Sequence, residues 1–242
     1  MISCVMLTTT RRSRLRSAAL ASLAAQSGAG AFELVVVTDD DDPVTPRELT
    51  VASKAADVII YRRSDWACLA DKRNAACRLA NGRWLTIWDD DDWSSPWRLM
   101  MLRRMAQTNA QIIGNSTILW HELVGPARNT VRYVSPTPDY VVGGTLAFQK
   151  DLWREVEFTD RKGDEGWWTL DQLKAGARLA LTSEPYVAMV HGDNIANKAP
   201  FRVNPTTREV HNGAEYTWLG AREAALKVMG QDALERFEAA VA

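Results

Sequence analysis

Two runs of apolar, β-branched residues, 32–38 and 84–88, each end without transition in four consecutive aspartates, at 39–42 and 89–92. A stretch such as Leu34-Val35-Val36-Val37, with no polar alternation, suits a strand buried on both faces, the interior position of a parallel sheet. Strand-like segments at 2–7, 32–38, 58–61 and 84–88 alternate with helix-like ones at 15–25, 45–56 and 69–79. Gly28 and Gly30 close the first of these helices and Gly82 the last. The alternation predicts an α/β chain with a Rossmann-like, mostly parallel central sheet flanked by helices and joined by right-handed crossovers. Such sheets hold ligands at the carboxyl ends of their strands, so both acidic clusters are expected on one edge.

Four adjacent carboxylates repel one another, and the cluster at 89–92 therefore requires a cation or a set of hydrogen-bond donors. In extended backbone alternate residues share a side, so Asp89 and Asp91 are expected to converge on one ion while Asp90 and Asp92 point elsewhere. An all-oxygen site of this kind suits Mg²⁺ or Mn²⁺ and leaves room for substrate phosphates. The same residues also suit a solvated acidic turn in which Asp92 or Ser94 caps the helix beginning near Pro96.

Further along, the pattern predicts a helix at 98–106 and strands at 112–114, 117–119 and 130–134, with a turn at Gly125-Pro126 between the last two. Gly143-Gly144 leads into 145–148 and allows a close backbone approach. A helix at 164–173, a strand at 186–190 that delivers His191, a polar loop at 192–205 and a C-terminal helix at 216–240 complete the chain. With 242 residues, 46% of them hydrophobic, one substantial core is expected.

The 29 basic and 30 acidic side chains nearly cancel, which excludes a global attraction to nucleic acid or acidic membranes. Arginine outnumbers lysine by 22 to 7, with clusters at Arg11, Arg12, Arg14 and Arg16 that suit either phosphate binding or a solvated helix face. Cys4, Cys68 and Cys77 have no zinc spacing and suit a reduced compartment. No apolar run approaches the roughly 18 residues of a membrane span, so a cytoplasmic location is expected.

Taken together these residues resemble the family 2 glycosyltransferases of the GT-A fold. The resemblance rests on the strand, Thr-rich turn and Ala/Leu/Ser helix of 1–26, on Glu33 to Asp40, and on Asp71-Lys72-Arg73-Asn74. It rests also on Trp88-Asp89-Asp90-Asp91-Asp92-Trp93-Ser94-Ser95-Pro96, similar to the family's DxD motif, and on Gly143-Gly144, Gly163-Asp164-Glu165, and His191 with Asn194 and Asn197. It implies a GT-A domain over 1–205, with a nucleotide-sugar half at 1–96 and an acceptor half at 97–205, followed by a helical extension at 206–242. The implied activity is inverting displacement of a sugar from a nucleoside-diphosphate sugar.

In that setting Asp91, with Asp89 and His191, would hold Mn²⁺ or Mg²⁺, and Asp89 or Asp90 would face the donor. Thr8 and Asp39 or Asp40 would hold the nucleoside, Arg73 or Lys72 would approach the diphosphate, and Lys198 would lie on a loop closing over it. Family position assigns the general base to Asp164-Glu165. The order here is the reverse of the usual Glu-Asp, and Glu165 is favoured because it stands where the base normally does. Trp93, Trp167 and Trp168, with Gly143 and Gly144, would line the acceptor side. The implied acceptor is a glycan or glycoconjugate. Rival readings are a transferase acting on hydroxymethylated bases of viral DNA, a non-catalytic sugar-binding descendant of the fold, and a two-metal phosphoryl transferase. A twelve-residue calcium loop is a weaker reading still, since neither cluster has Gly at the sixth position or Glu at the twelfth.

Overall fold

The computed structural model describes residues 1–39, 41, 55–63, 65–124, 128–161, 164–192, 194, 208–211 and 214–241, with the backbone alone at 164 and 208–211. Asp40, Gly163, Asn197, Lys198, the Gly125-Pro126 turn and the helix expected at 45–56, apart from its last two residues, lie outside them. The main sheet is built on β1 (Ile2–Leu7), which pairs in parallel with β2 (Phe32–Thr38) and β4 (Trp84–Ile87); β2 in turn pairs with β3 (Asp57–Arg62). All seven residues of β2 are buried, as its unalternating sequence requires. Beyond β4 lies β9 (Ala147–Gln149), antiparallel to it and to β6 (Ile112–Gly114), and β10 (Leu179–Leu181) forms the edge. The sheet is thus mostly parallel, with helices α1 (Ser13–Ala24) and α2 (Leu69–Leu79) as its early crossovers.

A second sheet was not legible in the sequence pattern. It runs β12 (Arg208–His211), β13 (Ala214–Gly220), β8 (Thr130–Val134), β7 (Thr117–Glu122), β11 (Tyr186–Val190) and β5 (Trp93–Ser94). Only β7 and β11 pair in parallel. The chain leaves the first sheet at Ile87 and enters the second at Trp93, so the aspartates at 89–92 form the turn that joins the two.

The helix expected at 216–240 divides. Its first residues form β13 instead, because Ala214 and Tyr216 alternate with more exposed neighbours and pack on the stacked rings of Trp120 and Tyr133. Helices begin only after Gly220, as α6 (Arg222–Met229) and α7 (Gln231–Val241), separated by Gly230 at φ 82°. The described part of the segment, from 208 to 241, is therefore a pair of antiparallel strands followed by two helices. Leu234 and Phe237 share one core with Leu20 and Leu23 of α1, which ties these helices to the main body.

His121, on β7, is completely buried, with Nδ1 3.0 Å from Thr130 Oγ1. The Thr130 hydroxyl donates to the carbonyl of Ala221 at 3.1 Å, so it accepts from the imidazole. Burial pulls the imidazole pKa down to about 4. The folded protein keeps His121 neutral where an unfolded chain, with a pKa near 6.5, takes up a proton. Stability is then full above about pH 6.5 and falls as the pH drops towards 4, by up to roughly 3 kcal/mol. Urea unfolding of the parent and of His121→Gln at pH 7.5 and 4.5 checks this: the parent should lose more stability on acidification, and equal losses would remove His121 from the account.

Candidate active site

The acidic turn does not keep the alternation expected of it. The extended backbone of β4 stops at Ile87, and the carboxylates pair off differently: Asp89 with Asp92, and Asp90 with Asp91. Tyr186 Oη, on β11, lies 3.0 Å from Asp89 Oδ2 and 2.7 Å from Asp92 Oδ2. Asp92 Oδ1 also accepts the backbone N–H of Met189 at 2.7 Å, stapling the turn to β11. Arg12 Nη1 bridges Asp90 Oδ1 at 2.8 Å and Asp91 Oδ2 at 3.1 Å. Burial, followed by the neighbouring Asp91, raises the Asp90 carboxyl to about 7, against the pull of Arg12 and the Thr8 hydroxyl. Burial, Asp91 and Glu165 likewise raise that of Asp89.

His191, delivered by β11 as expected, places Nε2 3.0 Å from Asp91 Oδ2. Asn194 turns back on the same spot, accepting the His191 N–H at 2.7 Å and placing Nδ2 3.1 Å from Nε2. A buried carboxylate oxygen and an imidazole nitrogen at this separation, beside the buried Asp90 Oδ2 that has no partner among the described residues, fit the donor chemistry of a divalent cation. Asp91 and His191 are the residues that would hold it. Asp89, the third expected ligand, is turned to Tyr186, and among the described residues no three carboxylate, imidazole or thiolate side chains converge as a metal cluster.

Of the residues expected to hold the donor, Lys72 Nζ reaches the Thr8 carbonyl at 2.5 Å and Asp39 Oδ1 at 2.8 Å, bringing three predicted residues together at the ends of β1 and β2. Arg73, one residue on, points the other way and pairs with Glu165 at the start of α5 (Asp164–Lys174). Asn74 explains why that pairing is possible. Its side chain holds the Phe158 backbone through both N–H and carbonyl, and accepts from Trp153 Nε1, which pins the segment leading to Glu165.

Gly143 and Gly144 do bring groups close, though the groups are protein. A methyl on Gly143 would stand 2.9 Å from Glu165 Cδ, and one on Gly144 would overlap Tyr186 Oη and Asp89 Oδ2. The candidate base and the acidic turn thus lie against neighbouring backbone atoms. Of the tryptophans expected on the acceptor side, Trp93 and Trp168 are each only 5% exposed. Trp93 belongs to the main core, and Trp168 packs with Phe148 and Phe158 while donating to the Val156 carbonyl at 2.7 Å. Their rings fill space between sheet and helix, so a wall formed by all three tryptophans is not present. Trp167 is exposed, with the Arg161 guanidinium 3.8 Å from its ring centroid.

Sequence reasoning missed Tyr186, Arg12 and Arg98 as parts of the site. Arg98, on α3 (Arg98–Met105), is buried beneath the turn, donating to Ser94 Oγ, Thr86 Oγ1 and the Ile87 carbonyl. The only available signal was charge balance: four clustered carboxylates, three of them buried, need cations, and these are Arg98 just beyond the turn and Arg12 far from it in sequence.

Residues 3–118 match the sequence model of glycosyl transferase family 2. No curated protein sequence matches the chain. S. aureus TarS 1-349 in complex with UDP-GlcNAc is similar in structure, with a TM-score of 0.60 at 18% identity over 80% of this chain and 60% of that one. The mannosyltransferase PcManGT from Pyrobaculum calidifontis in complex with GDP-Man and Mn²⁺ gives 0.62 at 16% identity over 79% and 57%. The chain therefore covers less than two thirds of the length of these structures. Among the described residues no helix is long and apolar enough to cross a membrane. Just under half of the chain, residues 3–118, thus carries the sequence pattern of glycosyl transferase family 2, and some four fifths of it shares the GT-A fold of these structures.

Proposed function

We propose that this protein transfers a sugar from a nucleoside-diphosphate sugar to an acceptor hydroxyl, with inversion at the anomeric carbon. The observation that supports the reading is the approach of Glu165 to Gly143 and of Asp89 to Gly144, which brings the carboxylate of Glu165 and the acidic turn to two adjacent residues of the backbone. Thr8, Asp39 and Lys72 hold the nucleoside end. Glu165 takes the proton of the acceptor hydroxyl as its oxygen bonds to the anomeric carbon, and the bond from that carbon to the diphosphate breaks. Asp91 and His191 would hold a divalent cation, Mn²⁺ or Mg²⁺, whose chemistry when bound would be to neutralise negative charge on the diphosphate. PcManGT, carrying GDP-Man and Mn²⁺, and TarS, carrying UDP-GlcNAc, support a nucleotide-sugar donor. The acceptor is a glycan or glycoconjugate, for which the exposed ring of Trp167 offers a stacking face.

A thermal-shift screen with Mn²⁺ across UDP-, GDP-, dTDP- and CDP-sugars tests the donor reading. One nucleotide should raise the melting temperature only with metal present, and Asp91→Ala should abolish that rise. The absence of any metal-dependent shift with the parent protein would overturn it.

A further inference from the structure

Arg12 sits at the end of a short 3-10 turn (Thr10–Arg12) that leads into α1. Its side chain is only 13% exposed, and one nitrogen serves both Asp90 and Asp91. The Asp91 oxygen it contacts, Oδ2, is the same atom that faces His191 Nε2. The guanidinium and any ion held between Asp91 and His191 therefore compete for one carboxylate oxygen. Two cations cannot share it without strong repulsion at this depth, where water screens little.

We infer that Arg12 is a built-in counter-ion of the acidic turn, which a divalent cation must displace, and that the released guanidinium then serves the anion of the donor; this rests on the metal reading given above. The surroundings suit such a release. A cavity of about 340 Å³ lies beside His191 and is lined by Arg11, Ser13 and Arg14 at the start of α1. Arg11 and Arg14 are exposed and have no carboxylate or hydrogen-bond partner among the described residues. A third guanidinium swung towards them would be disfavoured alone and favoured once a phosphate group is present, since guanidinium pairs well with phosphate oxygens. Metal and diphosphate binding are then coupled through Arg12, and the coupling must be reciprocal.

Mn²⁺ binding followed by electron paramagnetic resonance of the free ion, without and with a saturating nucleoside diphosphate, tests this on the parent and on Arg12→Gln and Arg12→Lys, each first checked for a cooperative melt. Without nucleotide, Arg12→Gln should bind Mn²⁺ about tenfold more tightly than the parent, because a competing cation has gone. The nucleotide should tighten Mn²⁺ binding less in this variant than in the parent. Arg12→Lys, which keeps a charge but cannot span both carboxylates as a fork does, should fall between the two and provides the answer if the glutamine variant does not fold. Unchanged or weaker Mn²⁺ binding by Arg12→Gln, with the parent binding normally, would overturn the inference alone. No Mn²⁺ binding by the parent, with or without nucleotide, would overturn the metal reading and this inference with it.

Discussion

Glu165→Gln should lower turnover by about a thousandfold while leaving the nucleotide-dependent thermal shift intact. The substitution keeps the size of the side chain beside Gly143 and leaves an amide oxygen able to accept from Arg73, so the local packing survives. What it removes is the capacity to take a proton, and positioned general bases contribute roughly 10²- to 10⁴-fold. Asp164→Asn, assayed beside it, separates the two candidates for the role. Release of nucleoside diphosphate from whichever donor the thermal-shift screen identifies provides the readout. A Glu165→Gln enzyme retaining more than about a tenth of the parent rate, or a larger loss with Asp164→Asn, would move the base away from Glu165.

The expectation that Glu165 matters came from a family position; Arg73 and Asn74 give it a physical basis. Both belong to the Asp71–Asn74 stretch on which the resemblance rests, and of the two only Arg73 was expected near the diphosphate. The structure divides their work, with Arg73 on the carboxylate and Asn74 on the backbone that carries it. Nothing in a linear pattern distinguishes these roles, because each depends on which way a residue of α2 faces relative to a segment about ninety residues later.

The main sheet was legible for the opposite reason. A run such as 34–37 is so uniformly apolar that only an interior parallel strand buries it, and all of β2 is buried. The second sheet was not legible, since β13 pairs with β8, and β11 with β7 and β5, across large gaps in the sequence, and β5 has only two residues. The helix expected from Tyr216 failed for a related reason: the aromatic alternation of β13 makes sense only once Trp120 and Tyr133 are known to lie opposite. The acidic turn was found easily, but its pairing was misjudged, because strand geometry was extended beyond Ile87, where the strand ends.

What holds four aspartates in place leads to the second large effect. Arg98 donates to two hydroxyls and a carbonyl at 2.7–2.9 Å, and its guanidinium lies 4.8 Å from the Trp88 ring centroid and 5.7 Å from that of Tyr186. Burial lowers its pKa, while Tyr186, Asp89 and Asp92 oppose that shift. A buried cation in this position offsets the charge of the turn from below, as Arg12 does from the side. Arg98→Met fills much of the same volume but removes the charge and leaves the Thr86 and Ser94 hydroxyls and the Ile87 carbonyl without this donor. Removing one partner of a buried charge arrangement costs about 3–5 kcal/mol. The urea midpoint should fall by roughly 1 M or more, taking a slope near the upper end of the usual range for a chain of this size. Tyr186→Phe, which keeps Arg98 and the ring beneath it but removes the hydroxyl shared by Asp89 and Asp92, should cost less, about 1–3 kcal/mol. If both variants unfold at the parent midpoint, the turn is held by its backbone alone, and the arginines around it act on ligands and not on the fold.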